Sequence, residues 1–199
     1  MKRKAVAALL AAGLSVGLGS AANAATYFEG EAFTGAALNN SMATAQSIGA
    51  LGEHGLNTVF GSRQDFAPGG SSADFYKLRL TTESLLGLTV IGSSDMSGQS
   101  NPILGLFNSS GKLIATDDDS GAGFGSFLSG TQAAGIYYIA VSGSPDAQFH
   151  GGGSSNWVYS LSAKTGESAC YPVPEPDLAS LALLSLGAVG FVKRRRKTA

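Results

Sequence analysis

Short apolar runs, several alternating residue by residue with polar ones, recur through the middle of the chain and are bounded by Gly, Ser, Asn and Asp. A two-residue period turns successive side chains to opposite faces of a pleated sheet. Such runs, short and bounded by turns, predict an antiparallel sandwich or barrel. The predicted strands are 57–61, 74–81, 84–91, 103–107, 112–116, 126–132, 136–142 and 157–163. In the second of these Tyr76, Leu78 and Leu80 share one face and Lys77 and Arg79 the other, so one side packs and the other is wet. Between two apolar runs, Asn108-Ser109-Ser110-Gly111 reads as a hairpin turn in which Gly111 can take positive φ. Gly135 reads as the entry to a buried strand, and only 41–47 looks mildly helical, a short turn of helix at most.

The two ends follow other rules. Lys2, Arg3 and Lys4 form a positive start, 5–18 is apolar, and Ala22-Asn23-Ala24 is the small-x-small pattern that signal peptidase reads, which predicts cleavage after Ala24. An uncleaved anchor helix is the alternative. At the other end stand Val173, Pro174, Glu175 and Pro176, then Asp177, an uncharged stretch over 178–192, and the basic cluster Lys193, Arg194, Arg195, Arg196 and Lys197. Pro176 suits a helix start, where its missing N–H costs nothing, and Glu175 and Asp177 put negative charge at the positive end of the helix dipole. The basic cluster complements the other end and holds it in the cytoplasm. Fifteen helical residues rise about 22 Å against a hydrocarbon core of roughly 30 Å, so the predicted transmembrane helix spans marginally and suits a temporary anchor.

Charge sharpens the contrast between ends and body. The net charge of -1 hides eight of the thirteen Lys and Arg in the first four residues and in 193–197; over 25–172 five basic residues face twelve acidic ones, 5 − 12 = −7. Nucleic acid is excluded as a partner, because phosphate neutralisation needs a basic stripe; cations or neutral glycans suit this body better. The 28 glycines, with much Ser and Ala and few charges, fit a loop-rich secreted β-protein. Cys170 is the single cysteine and can make no internal disulfide; it reads as an unpaired linker residue, with dimerisation or lipid modification as alternatives.

The Val173-Pro174-Glu175-Pro176 motif, apolar segment and Arg-rich tail resemble the PEP-CTERM sorting signal. The resemblance implies recognition by an exosortase, a membrane protease of exopolysaccharide-making Gram-negative bacteria. It also implies a precursor anchored in the inner membrane that then reaches the periplasm, cell surface or extracellular matrix. A second resemblance covers about 38–163. Asn39-Asn40-Ser41, Asp74-Phe75-Tyr76, Pro102-Ile103-Leu104-Gly105-Leu106-Phe107, the run from Gly111 to Asp119, and Gly135-Ile136-Tyr137-Tyr138-Ile139-Ala140-Val141 are similar to the bacterial pre-peptidase C-terminal domain. That family implies a small jelly-roll sandwich, usually appended to secreted peptidases; related modules bind collagen or carbohydrate and can bind calcium. The chain departs from the pattern in a Gly/Ser-rich insert at 67–72 and in carrying no peptidase domain.

Candidate chemistry is sparse. Asp117, Asp118 and Asp119 are adjacent carboxylates that either water or a hard cation such as Ca²⁺ must solvate; in a strand Asp117 and Asp119 could share an ion while Asp118 faces elsewhere. A solvated turn is the alternative. His54 and His150, the two histidines, give no zinc spacing, and no nucleophile elbow, zinc-protease helix, Walker loop or dinucleotide fingerprint occurs. Gly121-Ala122-Gly123-Phe124-Gly125 lacks the lysine of a phosphate loop and reads as a turn. Trp157 and Tyr137, Tyr138, Tyr159 and Tyr171 could offer a sugar-stacking platform, with core packing expected of those inside strands.

The expectation is therefore an all-β, jelly-roll-like antiparallel β-sandwich flanked by an N-terminal signal helix and a C-terminal transmembrane helix. It divides into a signal peptide (1–24), a lead-in (25–37), the sandwich (38–163), a linker (164–172) and the sorting signal (173–197). The expected role is an exported non-enzymatic component of an exopolysaccharide-associated envelope or matrix. A calcium-dependent carbohydrate- or protein-binding module, or a small secreted hydrolase, are the alternatives.

Overall fold

A computed structural model describes residues 24–30, 38–63, 73–93, 100–154 and 157–166. Ten strands run in order: β1 Ala24–Phe28, β2 Gln46–Leu51, β3 Leu56–Arg63, β4 Asp74–Leu80, β5 Ser84–Gly92, β6 Pro102–Asn108, β7 Leu113–Asp117, β8 Ser126–Gln132, β9 Gly135–Gly143 and β10 Trp157–Thr165. They form two five-stranded sheets, the first ordered β1-β3-β10-β5-β8 and the second β2-β4-β9-β6-β7. The eight strands β3 to β10 are those expected from the sequence, and their order is that of a jelly roll, antiparallel at every pairing.

The two N-terminal strands correct the sequence expectation. β1 adds to β3, and β2 to β4, and both additions are parallel, so the sandwich is mixed rather than wholly antiparallel. It also begins upstream of residue 38, at Ala24, the last residue of the expected signal peptide, and its last strand runs to Thr165, into the expected linker. The region expected to be mildly helical supplies a turn at 41–44, closed by Thr44 N–H donating to the Ser41 carbonyl, and then the start of β2. Register shifts between Ser47 and Ala50, where Gly49 takes a φ of 78° beneath the Tyr27 hydroxyl. That bulge brings Ile48 and Leu51, three apart, to the interior, and so erases the two-residue period.

The main core lies between the sheets, where Val59, Tyr76, Leu78, Leu80, Leu88, Leu104, Ile139, Val141 and Leu161 are buried together. Lys77 and Arg79 face away from it, as the alternation in β4 requires. The β6–β7 hairpin turns at Gly111, whose φ is 81°, while the Asn108 carboxamide oxygen accepts from the N–H groups of Ser110 and Lys112 at 3.0 and 2.9 Å. A second, smaller core covers the outer face of the second sheet. The chain after β9 folds back and lays Phe149 on Phe107, edge to face at 5.5 Å, and on Gly105, where a Cβ would stand 2.5 Å from the ring. Among the described residues no helix is long and apolar enough to cross a membrane. The expected signal and transmembrane helices, with Ala22, Val173 to Pro176, Lys193 to Lys197 and Cys170, lie outside the described residues; Ala24 is the first residue of β1.

Candidate functional site

The carboxylates singled out in the sequence do not converge. Asp117, closing β7, accepts from the N–H groups of Ser120 at 3.0 Å and Phe127 at 2.8 Å, and from the Ser120 hydroxyl. Asp118 accepts from the Ser144 hydroxyl at 2.8 Å, and its backbone carbonyl accepts from the Ser126 hydroxyl at 2.7 Å. Asp119 is exposed. No group of three or more His, Cys, Asp or Glu that could hold a metal occurs among the described residues, and what Asp117 and Asp118 form with their neighbours is a hydrogen-bonded turn. The following glycines close on themselves as a turn, Gly121 N–H to the Gly125 carbonyl at 2.8 Å and Gly125 N–H to the Ala122 carbonyl at 3.0 Å. His54 sits at positive φ in the β2–β3 turn against Gly166, and His150 is exposed. Trp157, Tyr137 and Tyr159 are core residues and Tyr138 packs on the outer core, while Tyr171 lies outside the described residues.

A polar cluster buried at one end of the sandwich is what the sequence did not announce. Glu29, just past β1, is 0% exposed, Arg63 at the end of β3 is 1%, and Asp74 at the start of β4 is 1%. The Glu29 carboxylate accepts from the Ser62 N–H at 2.7 Å. Tyr159 donates to Asp74 at 2.6 Å, and the Tyr76 and Tyr159 hydroxyls are 2.5 Å apart. Arg63 donates to the Ser142 hydroxyl at 2.9 Å and to the Gly151 and Gly152 carbonyls at 3.3 and 3.1 Å, with its guanidinium 5.8 Å from the Trp157 ring centre. Room for the Tyr159 ring comes from its neighbour on β3, Gly61, where a Cβ would stand 2.4 Å from it. Burial pushes the Asp74 carboxyl well above the ordinary carboxylate range. The Glu29 charge adds to this, against the Tyr159 hydrogen bond and the Arg63 charge. Burial, then the Asp74 charge, raises both phenols as well. Nearby, burial raises Asp146 but is outweighed by hydrogen bonds from the Ser142 hydroxyl and from the N–H groups of His150, Gly151 and Gly152, so its pKa is lowered.

Above this cluster, on the outer face of the first sheet, an apolar groove of about 630 Å³ crosses four strands. Its walls are Phe28 on β1, Phe60 on β3, Val158 on β10 and Ile91 on β5, between 41% and 56% exposed. Phe28 and Phe60, partners in the β1–β3 register, stack with centres 5.7 Å apart. Ser93, whose hydroxyl donates to the Val158 carbonyl at 3.2 Å, and Ser160 also line it, and among the described residues no charged side chain does. Such a surface is open, neutral and aromatic, whereas the polar cluster beneath it is sealed.

Residues 172–197 match the model of the PEP-CTERM protein-sorting motif. This marks an exported protein, anchored in the membrane before processing by an exosortase. The body is structurally similar to the pre-peptidase C-terminal domain of a collagenase from Bacillus anthracis, at 18% identity and a TM-score of 0.42 over 60% of this chain and 96% of that one. It is also similar to PliG of Aeromonas hydrophila, a periplasmic inhibitor of g-type lysozyme, at 17% identity and a TM-score of 0.36 over 61% and 97% of the two chains. No curated protein matches the sequence.

Proposed function

We propose that the protein is a non-enzymatic binding component of the exopolysaccharide-associated envelope, released from its C-terminal anchor by the exosortase and holding neutral stretches of polysaccharide in the groove on the first sheet. The sorting half of this reading rests on the motif over 172–197. The binding half rests on the open aromatic groove, since pyranose rings stack on flat apolar faces. Charge favours a neutral glycan, because a body at −7 repels an anionic polymer and the described residues lining the groove include no cation to offset that. A hydrolase is the weaker reading, since the acid pair Glu29 and Asp74 is sealed from any substrate.

Two measurements test the halves separately. Mass spectrometry of the C-terminus from fractionated cells is expected to show loss of the Arg-rich tail in surface material; an intact tail there overturns the sorting. Electrophoresis through gels containing neutral exopolysaccharide is expected to retard the protein, and Phe60→Ser is expected to abolish the retardation. Equal mobility with and without polysaccharide overturns the binding.

A further inference from the structure

β1 is held in place by the residue that follows it. None of its five residues is fully buried, yet Glu29 is wholly enclosed, its N–H donating to the Phe60 carbonyl at 2.8 Å and its carboxylate accepting from the Ser62 N–H. Glu29 therefore acts as a peg that fixes the N-terminal strand to β3, and a carboxylate peg holds only while its charge is compensated. Among the described residues, Asp74 and Tyr76 from β4 and Tyr159 from β10 act on it or on one another, Arg63 from β3 acts on Asp74, and Asn39 stands beside Tyr76. Asp146 joins through the Ser142 hydroxyl, which donates to it at 2.7 Å while accepting from Arg63. With both phenols neutral, and Asp146 only partly buried at its margin, the fully enclosed groups among the described residues are one guanidinium and two carboxyls. This set is electrically neutral only if one carboxyl keeps its proton, and a buried net charge is strongly unfavourable.

We propose that Glu29 and Asp74 share a single proton and that the pair is a pH-operated latch on the N-terminal strand: β1 stays docked on β3 while the proton is held and undocks when both carboxyls ionise. Undocking is the least costly relief, because β1 is a short edge strand and its departure carries Glu29 into water without opening the jelly roll. Phe28 then leaves Phe60, so one wall of the groove goes with it, and the edge of β3 is bared. A carboxyl whose folded pKa lies above its unfolded value contributes stability that is complete below the unfolded value, about 3.9, and is lost as pH rises through the folded one. The latch therefore opens toward alkaline pH. It stands whether or not the groove binds glycan.

Residue-resolved amide exchange on the full chain, from about pH 5 to about pH 9 and corrected for intrinsic rates, tests the latch. Protection at Glu29, Ser62 and β1 is expected to fall by about tenfold or more across this range while that of Leu161 in the core holds. Asp74→Asn keeps an acceptor for Tyr159 but cannot ionise, and is expected to flatten the profile; Glu29→Gln is expected to do the same. A wild-type β1 whose protection is constant with pH, or an Asp74→Asn protein that keeps the decline, overturns the proposal. Should Asp74→Asn fail to fold, the wild-type profile and Glu29→Gln decide it.

Discussion

The two outer faces of the sandwich carry similar aromatics and treat them oppositely. On the second sheet, Phe75 and Phe107 are covered by the chain after β9, with Phe149 pressed into the space that Gly105 leaves. On the first sheet, Phe28, Phe60, Ile91 and Val158 remain open to solvent. A ring the chain covers for itself contributes to folding, whereas one left open contributes little and is available to a partner. The same residue types therefore serve stability on one face and, in the proposed function, recognition on the other.

Breaking the covered face should cost most. Phe149→Ala removes a buried ring from Phe107 and Gly105, and about 3 to 5 kcal/mol of unfolding free energy is expected to be lost, read as a lower urea midpoint. Gly105→Val attacks the same contact from the other side, since its Cβ would stand 2.5 Å from the Phe149 ring, and it should expose the outer core without touching the inter-sheet one. If either variant melts like the wild type, the second core adds nothing to stability and the contrast between the faces collapses.

Most of this architecture was legible because eight strands are short apolar runs bounded by turn residues, several of them with the two-residue period that β4 shows with Tyr76, Leu78 and Leu80 inward. β2 escaped because the bulge at Gly49 spaces Ile48 and Leu51 by three. β1 escaped because Ala24-Ala25-Thr26-Tyr27-Phe28 has no polar alternation and follows directly on the apolar leader. The polar cluster was half legible. Extending the 57–61 strand by one period places Arg63 on the face of Val59 and Gly61, and Asp74 shares the face of Tyr76. A buried cation and a buried carboxyl on neighbouring core faces is a signal. Glu29 gave none, since nothing local shows that an acid beside an edge strand turns inward.

On the open face the same truncation should leave stability nearly alone. Phe60→Ser is expected to change unfolding free energy by about 0.5 kcal/mol or less while removing polysaccharide retardation, a separation of binding from folding that Phe149→Ala cannot show. A large drop in melting temperature would mean that Phe60 is a folding residue and that the two faces differ only in degree.

Acid should act on the loop that covers the second sheet. The Asp146 pKa is lowered in the folded state, so its contribution is present above the unfolded value of about 3.9 and is lost as pH falls through the folded one. Asp146→Asn is expected to flatten the acid limb of a melting-temperature profile. An acid limb identical in the two proteins would show that the loop is held by Phe149 alone.

The smallest effects belong to the aspartates between β7 and β8. Asp117 satisfies two backbone N–H groups at the start of β8 and the loop before it, so Asp117→Ala is expected to cost about 1 kcal/mol. Asp119 is exposed, and Asp119→Ala is expected to change nothing measurable. Because Asp117 and one oxygen of Asp118 already accept hydrogen bonds from protein donors, a divalent ion bridging the carboxylates would compete with those bonds. Millimolar Ca²⁺ is therefore expected to leave the melting temperature of the wild type where it is. A rise in the wild type that Asp117→Ala removes would show that the ion rearranges this turn into a site, and would move recognition from the open face to the loop.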